Sequence, residues 1–143
     1  MESLKHNTLV NKIIEYISNF EEIEPCLIES DTFGTNGKIT RMPEGYIPDV
    51  YYKYKNTLII GEAKTDNDFE RIHSIHQYTS YLRYLKRYEE NYKCILIIAV
   101  PWETTKTACR IISKLSRENN NLNLIIMNEM GEYKKYEKNY STQ

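Results

Sequence analysis

The sequence lacks the features that mark several classes of protein. Its three cysteines, Cys26, Cys94 and Cys109, include no pair with metal-ligand spacing, so we expect reduced thiols and no disulfide framework. No apolar run approaches the roughly 20 residues of a membrane helix, and the first residues have no signal-peptide character, which predicts a cytoplasmic protein. A formal net charge of −1 argues against bulk electrostatic coating of nucleic acid, although a local basic groove is compatible with it.

The remaining composition is that of a folded domain. At 143 residues, the chain is long enough for one core and too short for two. The hydrophobic content of 41% and charged content of 27% are typical of globular chains and not of disordered ones. We therefore expect a single domain over residues 1–130 and a loose, polar C-terminal tail over 131–143.

Hydrophobic periodicity predicts the order of helices and strands. The predicted helices cover residues 4–20, Asp66 or Asp68 to about 90, and Thr104 or Thr105 to about 119, and the predicted strands cover 23–28, 47–54, 57–65, 94–100 and 122–127. The order αβββαβαβ predicts an α/β fold, in which a mixed sheet is flanked by helices on both faces.

Acidic and basic side chains come together in the segment 47–65. If residues 55–56 form a two-residue hairpin loop, Asp49 lies directly opposite Glu62. A four-residue loop keeps that register, whereas a three-residue loop separates the pair. Lys64 points to the same side as Glu62, because side chains alternate along a strand. Two carboxylates and an ammonium group would then converge at one end of the hairpin.

Opposed carboxylates destabilise a sheet unless something relieves their repulsion. A divalent cation does so, since Mg²⁺ binds one or two carboxylates together with water and phosphate oxygens. Lys64 would then orient the attacking water or neutralise charge on the phosphate. In the competing interpretation, Asp49 caps a turn and Glu62 and Lys64 lie at a solvated strand end. The co-occurrence of these residues at the end of an apolar strand favours the metal site.

Pro48-Asp49, followed after 12 residues by Glu62-Ala63-Lys64, resembles the signature of the PD-(D/E)XK nuclease superfamily. The predicted element order is also similar to the restriction-endonuclease-like αβββαβαβ core of that superfamily. The resemblance implies that Asp49 and Glu62 bind Mg²⁺ or Mn²⁺, with the Ala63 carbonyl as a possible further ligand. It also implies that Lys64 is catalytic.

Gln77 and Tyr81, on the following helix, resemble the QxxxY motif of RecB-like and related branches of the superfamily. The resemblance implies that both residues hold substrate near the metal. They belong to a stripe of that helix that we expect to face away from the sheet. A second stripe, made of Ile72, Ile75, Thr79 and Leu82, should face the sheet instead. The competing interpretation of the Gln77/Tyr81 stripe is a solvated helix face.

Many members of the superfamily have a further metal ligand on the first helix. Glu15 lies opposite the apolar stripe of that helix and should face water. His6 lies on the stripe, and RecB-like branches use a first-helix histidine near the metal. His6 is therefore the preferred auxiliary ligand, and the alternative is a partly buried packing histidine.

These features predict an endonuclease that uses Mg²⁺ or Mn²⁺ to hydrolyse DNA phosphodiesters. Because the chain has no room for a specificity domain, we expect a homodimer or a subunit of a larger DNA-processing or defence complex. Three alternatives stay open: a Holliday junction resolvase on the same core, cleavage of RNA, and a non-cleaving module that binds nucleic acid or a protein partner. We interpret Trp102 as a packing residue and not as a base-stacking platform.

Overall fold

A mixed β-sheet carries the fold in the computed structural model, which describes residues 4–31, 39–65, 72–119 and 121–137. Within those residues the helices are α1 (Leu4–Ser18), α2 (Ile72–Lys86) and α3 (Thr105–Glu118), with 3₁₀ turns at Pro25–Leu27 and Trp102–Thr104. The strands are β1 (Glu29–Ser30), β2 (Val50–Tyr54), β3 (Thr57–Ala63), β4 (Lys93–Ala99), β5 (Asn123–Met127) and β6 (Tyr133–Tyr136). No helix in this described part is long and apolar enough to cross a membrane.

The strands lie in the sheet in the order in which they occur along the chain, from β1 to β6. The β3–β4 and β4–β5 pairs are parallel, and the remaining pairs are antiparallel. Nearly every residue of the three parallel strands is buried, as expected for apolar runs covered on both faces. The predicted α/β class and mixed sheet are confirmed.

The hairpin between β2 and β3 has the predicted register. Tyr54 pairs with Thr57 and Val50 pairs with Gly61, across a two-residue loop in which Lys55 adopts a left-handed φ of 54°. The next pair outward from Val50 and Gly61 is Asp49 and Glu62. A side-chain period of 2 and a two-residue loop are therefore sufficient to place the two acidic residues opposite each other.

Hydrophobic cores lie on both faces of the sheet. One face, here called the α1 face, is covered by α1, with Leu9, Val10, Ile13 and Ile17 buried against strand residues such as Ile59, Ile97 and Ile125. The opposite face, the α2–α3 face, is covered by side chains such as Tyr78, Tyr81, Leu85 and Ile112, which meet Ile60, Leu96, Ile98 and Ile126. The prediction of helices on both faces is confirmed.

Gly61 sets how closely α1 approaches the sheet. A Cβ atom at this position would lie 2.9 Å from Ile13 Cγ2 and 3.1 Å from Val50 Cβ, which is closer than packed atoms tolerate. The missing side chain lets α1 lie directly over the end of β3, next to the acidic pair.

The predicted strand over 23–28 is wrong. A 3₁₀ turn occupies Pro25–Leu27, and the strand begins only at Glu29. Pro25 fixes its own φ and has no N–H to donate to a ladder, so it begins a turn and not a strand. The apolar residues that suggested a strand, Ile23 and Ile28, are nevertheless buried on the α1 face.

The expectation of a loose tail from residue 131 is wrong for the described part of that segment. Asn128 Oδ1 accepts hydrogen bonds from the N–H groups of Met130 and Glu132, and Gly131 adopts a φ of 84°. This turn sends the chain back as β6, which pairs antiparallel with β5 along Tyr133–Tyr136. The polar composition of β6 reflects its position at the edge of the sheet.

Helix α2 is rotated relative to the prediction. Its buried residues include Ser74, Gln77, Tyr78, Tyr81, Leu82 and Leu85, whereas Ile75 and Thr79 are only half-buried. The Gln77/Tyr81 stripe therefore faces the sheet and not away from it. A tyrosine ring can be buried like an apolar side chain when its hydroxyl group has a hydrogen-bond partner. In α2, the face that contains Tyr78 and Tyr81 packs on the sheet, and the face that contains Ile75 and Thr79 does not. The predicted caps Asp66 and Asp68, and the side chain of Ile72, lie outside the described residues.

Candidate active site

The predicted site residues meet at the edge where the parallel strands β3 and β4 end. Asp49 precedes β2, and Glu62 lies near the end of β3, on the same face as Ile60 and Tyr51, which is the α2–α3 face. Ala63 pairs with Ala99 of β4, and the Lys64 N–H donates to the Ala99 carbonyl at 2.9 Å. The backbone at Lys64 is therefore held by the neighbouring strand.

Asp49 links the hairpin to α1. Its Oδ2 accepts a hydrogen bond from the Ala63 N–H at 2.9 Å and lies 3.2 Å from His6 Nε2. The Asp49 and His6 side chains are 17% and 16% exposed, so the contact is shielded but open on one side. His6 thus reaches the acidic pair through Asp49, and its role as an auxiliary metal ligand stays a prediction.

Glu62 is a buried carboxyl group among charged and polar neighbours. Tyr81 donates its hydroxyl hydrogen to Glu62 Oε1 at 2.7 Å, and Lys64 Nζ lies 3.5 Å from Glu62 Oε2. Burial first, and the negative charge of Asp49 second, raise the pKa of Glu62 to about 8, against the opposing effects of Lys64 and Tyr81. Without a cation, Glu62 therefore keeps a proton at neutral pH.

Gln77 and Tyr81 form a chain of hydrogen bonds that ends at Glu62. Gln77 Nε2 donates to the Tyr81 hydroxyl oxygen at 2.9 Å, and both side chains are buried. Burial and the neighbouring Glu62 raise the pKa of Tyr81, so its hydroxyl stays neutral and able to donate. Both side chains lie behind the Glu62 carboxyl group and not at a surface, and their predicted role in holding substrate stays a prediction.

The acidic pair fits a hard divalent cation. Mg²⁺ needs only one or two carboxylates, and a cation that replaces the proton of Glu62 offsets the repulsion between two ionised carboxylates. The Ala63 carbonyl lies on the same strand between Glu62 and Lys64 and could serve as an additional oxygen ligand. No group of three or more His, Cys, Asp or Glu side chains is arranged to hold a metal in the part of the chain that the structure describes.

Other residues considered from the sequence lie away from this cluster. Glu15 is exposed, as predicted, and its carboxylate lies 3.5 Å from Lys12 Nζ. The interpretation of Trp102 as a packing residue is wrong, because the side chain is 60% exposed.

Sequence patterns did not predict a polar network on α2. Glu44 accepts hydrogen bonds from Ser80 and Arg83, and the Tyr51 and Tyr84 hydroxyl groups lie 2.7 Å apart. These partners are 33 to 39 residues apart in the chain, and no local pattern predicts such pairs.

A cavity of about 460 Å³ lies at the opposite edge of the sheet, next to Asn56, Glu89 and Lys93. Lys93 Nζ and Glu22 Oε2 form an exposed ion pair there, 3.7 Å apart. Size alone does not make a site, and the converging, partly buried groups lie at the Asp49–Glu62 edge.

Comparison of the chain with protein-family models, with curated proteins and with solved structures gives no match.

Proposed function

We propose that the chain is a divalent-metal-dependent nuclease of the PD-(D/E)XK type, which hydrolyses DNA phosphodiesters on a restriction-endonuclease-like core. The observation that supports it is the hairpin register that places Asp49 opposite Glu62, whose Oε2 lies 3.5 Å from the Lys64 ammonium group. The element order from α1 to β5 agrees with the αβββαβαβ core, to which β6 adds one edge strand.

Each residue of the cluster has a role in this proposal. Asp49 and Glu62 would hold Mg²⁺ or Mn²⁺, with the Ala63 carbonyl as a possible further ligand. The ion, when bound, supplies Lewis-acid stabilisation of negative charge on the phosphodiester. The Lys64 ammonium group orients the attacking water and stabilises charge on the phosphate oxygens. Tyr81 fixes the Glu62 carboxylate by donating to its Oε1.

Hydrolysis consumes one water and breaks one P–O bond. The water oxygen bonds to phosphorus as its proton passes to solvent, and the bond to the leaving sugar oxygen breaks as that oxygen takes up a proton from solvent. Such a reaction needs little covalent chemistry from the protein, because positioning and charge stabilisation lower most of the barrier. A small cluster with one fixed lysine is adequate for it.

The direct test is incubation of the protein with duplex DNA, single-stranded DNA, a four-way junction and RNA, in Mg²⁺, in Mn²⁺ and in EDTA. We expect metal-dependent cleavage of DNA, no cleavage by Asp49→Asn, and a loss of at least about 100-fold in Lys64→Ala at saturating metal. Glu15→Gln is a matched control, because it removes an exposed carboxylate of α1 and should cleave like the wild type.

The substrate that is cleaved distinguishes the alternatives. Preferred cutting of the junction would indicate a resolvase, and cutting of RNA alone would indicate a ribonuclease. Binding without cleavage in either metal would overturn the enzyme proposal and indicate a non-cleaving module.

A further inference from the structure

A tight turn over residues 42–46 lies just before Asp49 in the chain. The Met42 N–H donates to the Tyr46 carbonyl at 2.8 Å, and the Gly45 N–H donates to the Met42 carbonyl at 2.9 Å. Gly45 adopts a φ of 97°, a left-handed conformation that glycine reaches without steric cost. The Met42 side chain is buried in the core of the α2–α3 face. The 42–46 turn is therefore a defined unit that leads directly into a proposed metal ligand.

The Glu44 side chain holds this turn against α2. Its carboxylate accepts hydrogen bonds from Ser80 and Arg83, which lie about one helical turn apart. Ser80 is buried, and a buried hydroxyl group that loses its acceptor costs free energy. The hydrogen bond from Ser80 and, after it, the contact with Arg83 lower the pKa of Glu44, so the carboxylate is ionised at neutral pH. Hydrogen bonds to an ionised acceptor are stronger than those between neutral groups, and they clamp the turn to the helix.

The clamp lies beside Tyr81. Ser80 directly precedes Tyr81 in α2, and the Tyr46 ring meets the Tyr81 ring edge-on, with the ring centroids 6.4 Å apart. Tyr81 is fully buried, and its hydroxyl donates to Glu62 Oε1 at 2.7 Å. A hydrogen bond weakens steeply when its angle departs from the ideal. A small rotation or shift of α2 would therefore deprive Glu62 of this donor.

The 42–46 turn thus reaches both members of the acidic pair. The chain continues from the turn into Asp49, and through Glu44 the turn fixes the part of α2 that carries the donor to Glu62. We propose that Glu44 is a positioning residue of the candidate active site, which holds α2 in the position at which Tyr81 donates to Glu62. This inference rests on the proposed metal-dependent function, and it names a residue outside the acidic cluster on which metal affinity depends.

The test is calorimetric titration of the full-length protein with Mn²⁺. Glu44→Ala should lower the Mn²⁺ affinity by at least about 5-fold, but by no more than Tyr81→Phe, for which we expect about 10- to 100-fold. Glu44→Gln keeps an oxygen that can accept from Ser80 and should retain most of the affinity. Ser80→Ala removes the same contact from the helix side and introduces a residue that favours helix, so it replaces Glu44→Ala if that variant does not fold.

A double-mutant cycle shows whether Glu44 acts through Tyr81. If it does, adding Glu44→Ala to Tyr81→Phe lowers the Mn²⁺ affinity no further, because the donor hydroxyl is already gone. Tyr84→Phe is the matched control, since it removes a hydroxyl of the same helix that pairs with Tyr51, and its affinity should equal that of the wild type. Unchanged affinity in Glu44→Ala, or full additivity in the double variant, would overturn the proposal.

A measurement without metal separates this inference from the proposed function. The Tyr81 hydroxyl proton, buried in its hydrogen bond to Glu62, should exchange slowly with solvent, and its NMR signal is assigned by its absence from Tyr81→Phe. Glu44→Ala should speed this exchange by about 10-fold or more, and Tyr84→Phe should not. If the wild type binds no divalent ion but this difference is observed, the positioning role stands and the nuclease assignment fails. If DNA is cleaved but Glu44→Ala changes neither the exchange nor the affinity, the positioning role is overturned and the nuclease assignment stands.

Discussion

At the scale of single residues, the site depends on a carboxyl group that ionises with difficulty. Glu62 is buried beside Asp49, and its neighbours Lys64 and Tyr81 only partly offset the cost of a second negative charge. A divalent cation removes the same difficulty by replacing the proton of Glu62. Protonation of Glu62 and metal binding therefore compete, because each relieves the repulsion between the Glu62 and Asp49 carboxylates.

This competition predicts how stability depends on pH. Because the pKa of Glu62 is about 8 in the folded protein, against an ordinary value of 4.5, the folded state retains a proton that the unfolded chain releases. The contribution of Glu62 to stability is then fully present below about pH 4.5 and is lost as the pH rises to about 8. Thermal melts in EDTA across this range should show a falling Tm, and Glu62→Gln should fall less. Identical slopes for the two proteins would contradict the raised pKa.

With Mg²⁺ or Mn²⁺ present, the fall of Tm with rising pH should become smaller or turn into a rise. The ion binds the ionised pair, so its stabilising effect grows as the proton becomes easier to remove.

Replacement of Asp49 by Asn tests the repulsion directly. The variant removes one negative charge and keeps an oxygen that can accept the hydrogen bond from the Ala63 N–H. In EDTA it should be as stable as the wild type or more stable by about 0.5–1 kcal/mol, while losing most of the stabilisation by divalent metal. Thermal melts of both proteins with EDTA and with metal measure this. A clearly destabilised variant, together with a wild type that does not respond to metal, would make Asp49 a structural cap.

At the scale of helices and strands, local patterns predicted the hairpin and missed the rotation of α2. The β2–β3 register follows from a two-residue loop and a side-chain period of 2, and both can be read from the sequence. The face of α2 depends on whether tyrosine hydroxyl groups find partners, and Tyr81 finds one in Glu62, 19 residues earlier in the chain. Aliphatic periodicity contains no information on that contact.

The position of Tyr81 leads to a prediction about metal affinity. Tyr81→Phe removes the hydroxyl that donates to Glu62 Oε1, and so it removes an interaction that lowers the pKa of Glu62. We expect metal affinity to fall by about 10- to 100-fold and stability to fall by about 1–3 kcal/mol, since two buried polar groups lose a partner. Calorimetric titration with Mn²⁺ and thermal melts measure both effects.

Tyr84→Phe is the matched control for that variant. It removes a hydroxyl from the same helix, but that hydroxyl pairs with Tyr51 and not with the acidic cluster. Its metal affinity should equal that of the wild type. An equal loss of affinity in both variants would show that Tyr81 acts only through the packing of α2.

At the scale of the whole molecule, the site is assembled from elements on both faces of the sheet. His6 comes from α1, 43 residues before its contact Asp49, whereas Tyr81 comes from α2 on the opposite face. The sequence predicted the acidic pair and the lysine because they belong to one hairpin. It could not predict the contacts that hold them, since those depend on how the helices pack across the sheet. The exposure of Trp102 was missed for the same reason.

The last strand, β6, protects the edge of the sheet. It covers the hydrogen-bonding groups of β5, whose residues Leu124 to Met127 are buried and apolar. Lys134 and Lys135 are exposed on the outer edge, where charged side chains oppose pairing with another sheet. Without β6, the outermost strand would be an apolar segment with unpaired backbone groups, which is prone to association.

Truncation after Gly131 tests this role. Loss of four cross-strand pairs, at about 0.2–1 kcal/mol each, should lower stability by about 1–4 kcal/mol, and the exposed β5 edge should cause aggregation. The chain ending at Glu137 is the matched control, because it retains β6. Light scattering and thermal melts at equal concentration compare the two. A chain ending at Gly131 that stays monomeric with an unchanged Tm would show that β6 contributes neither stability nor protection, and that the sheet is complete at β5.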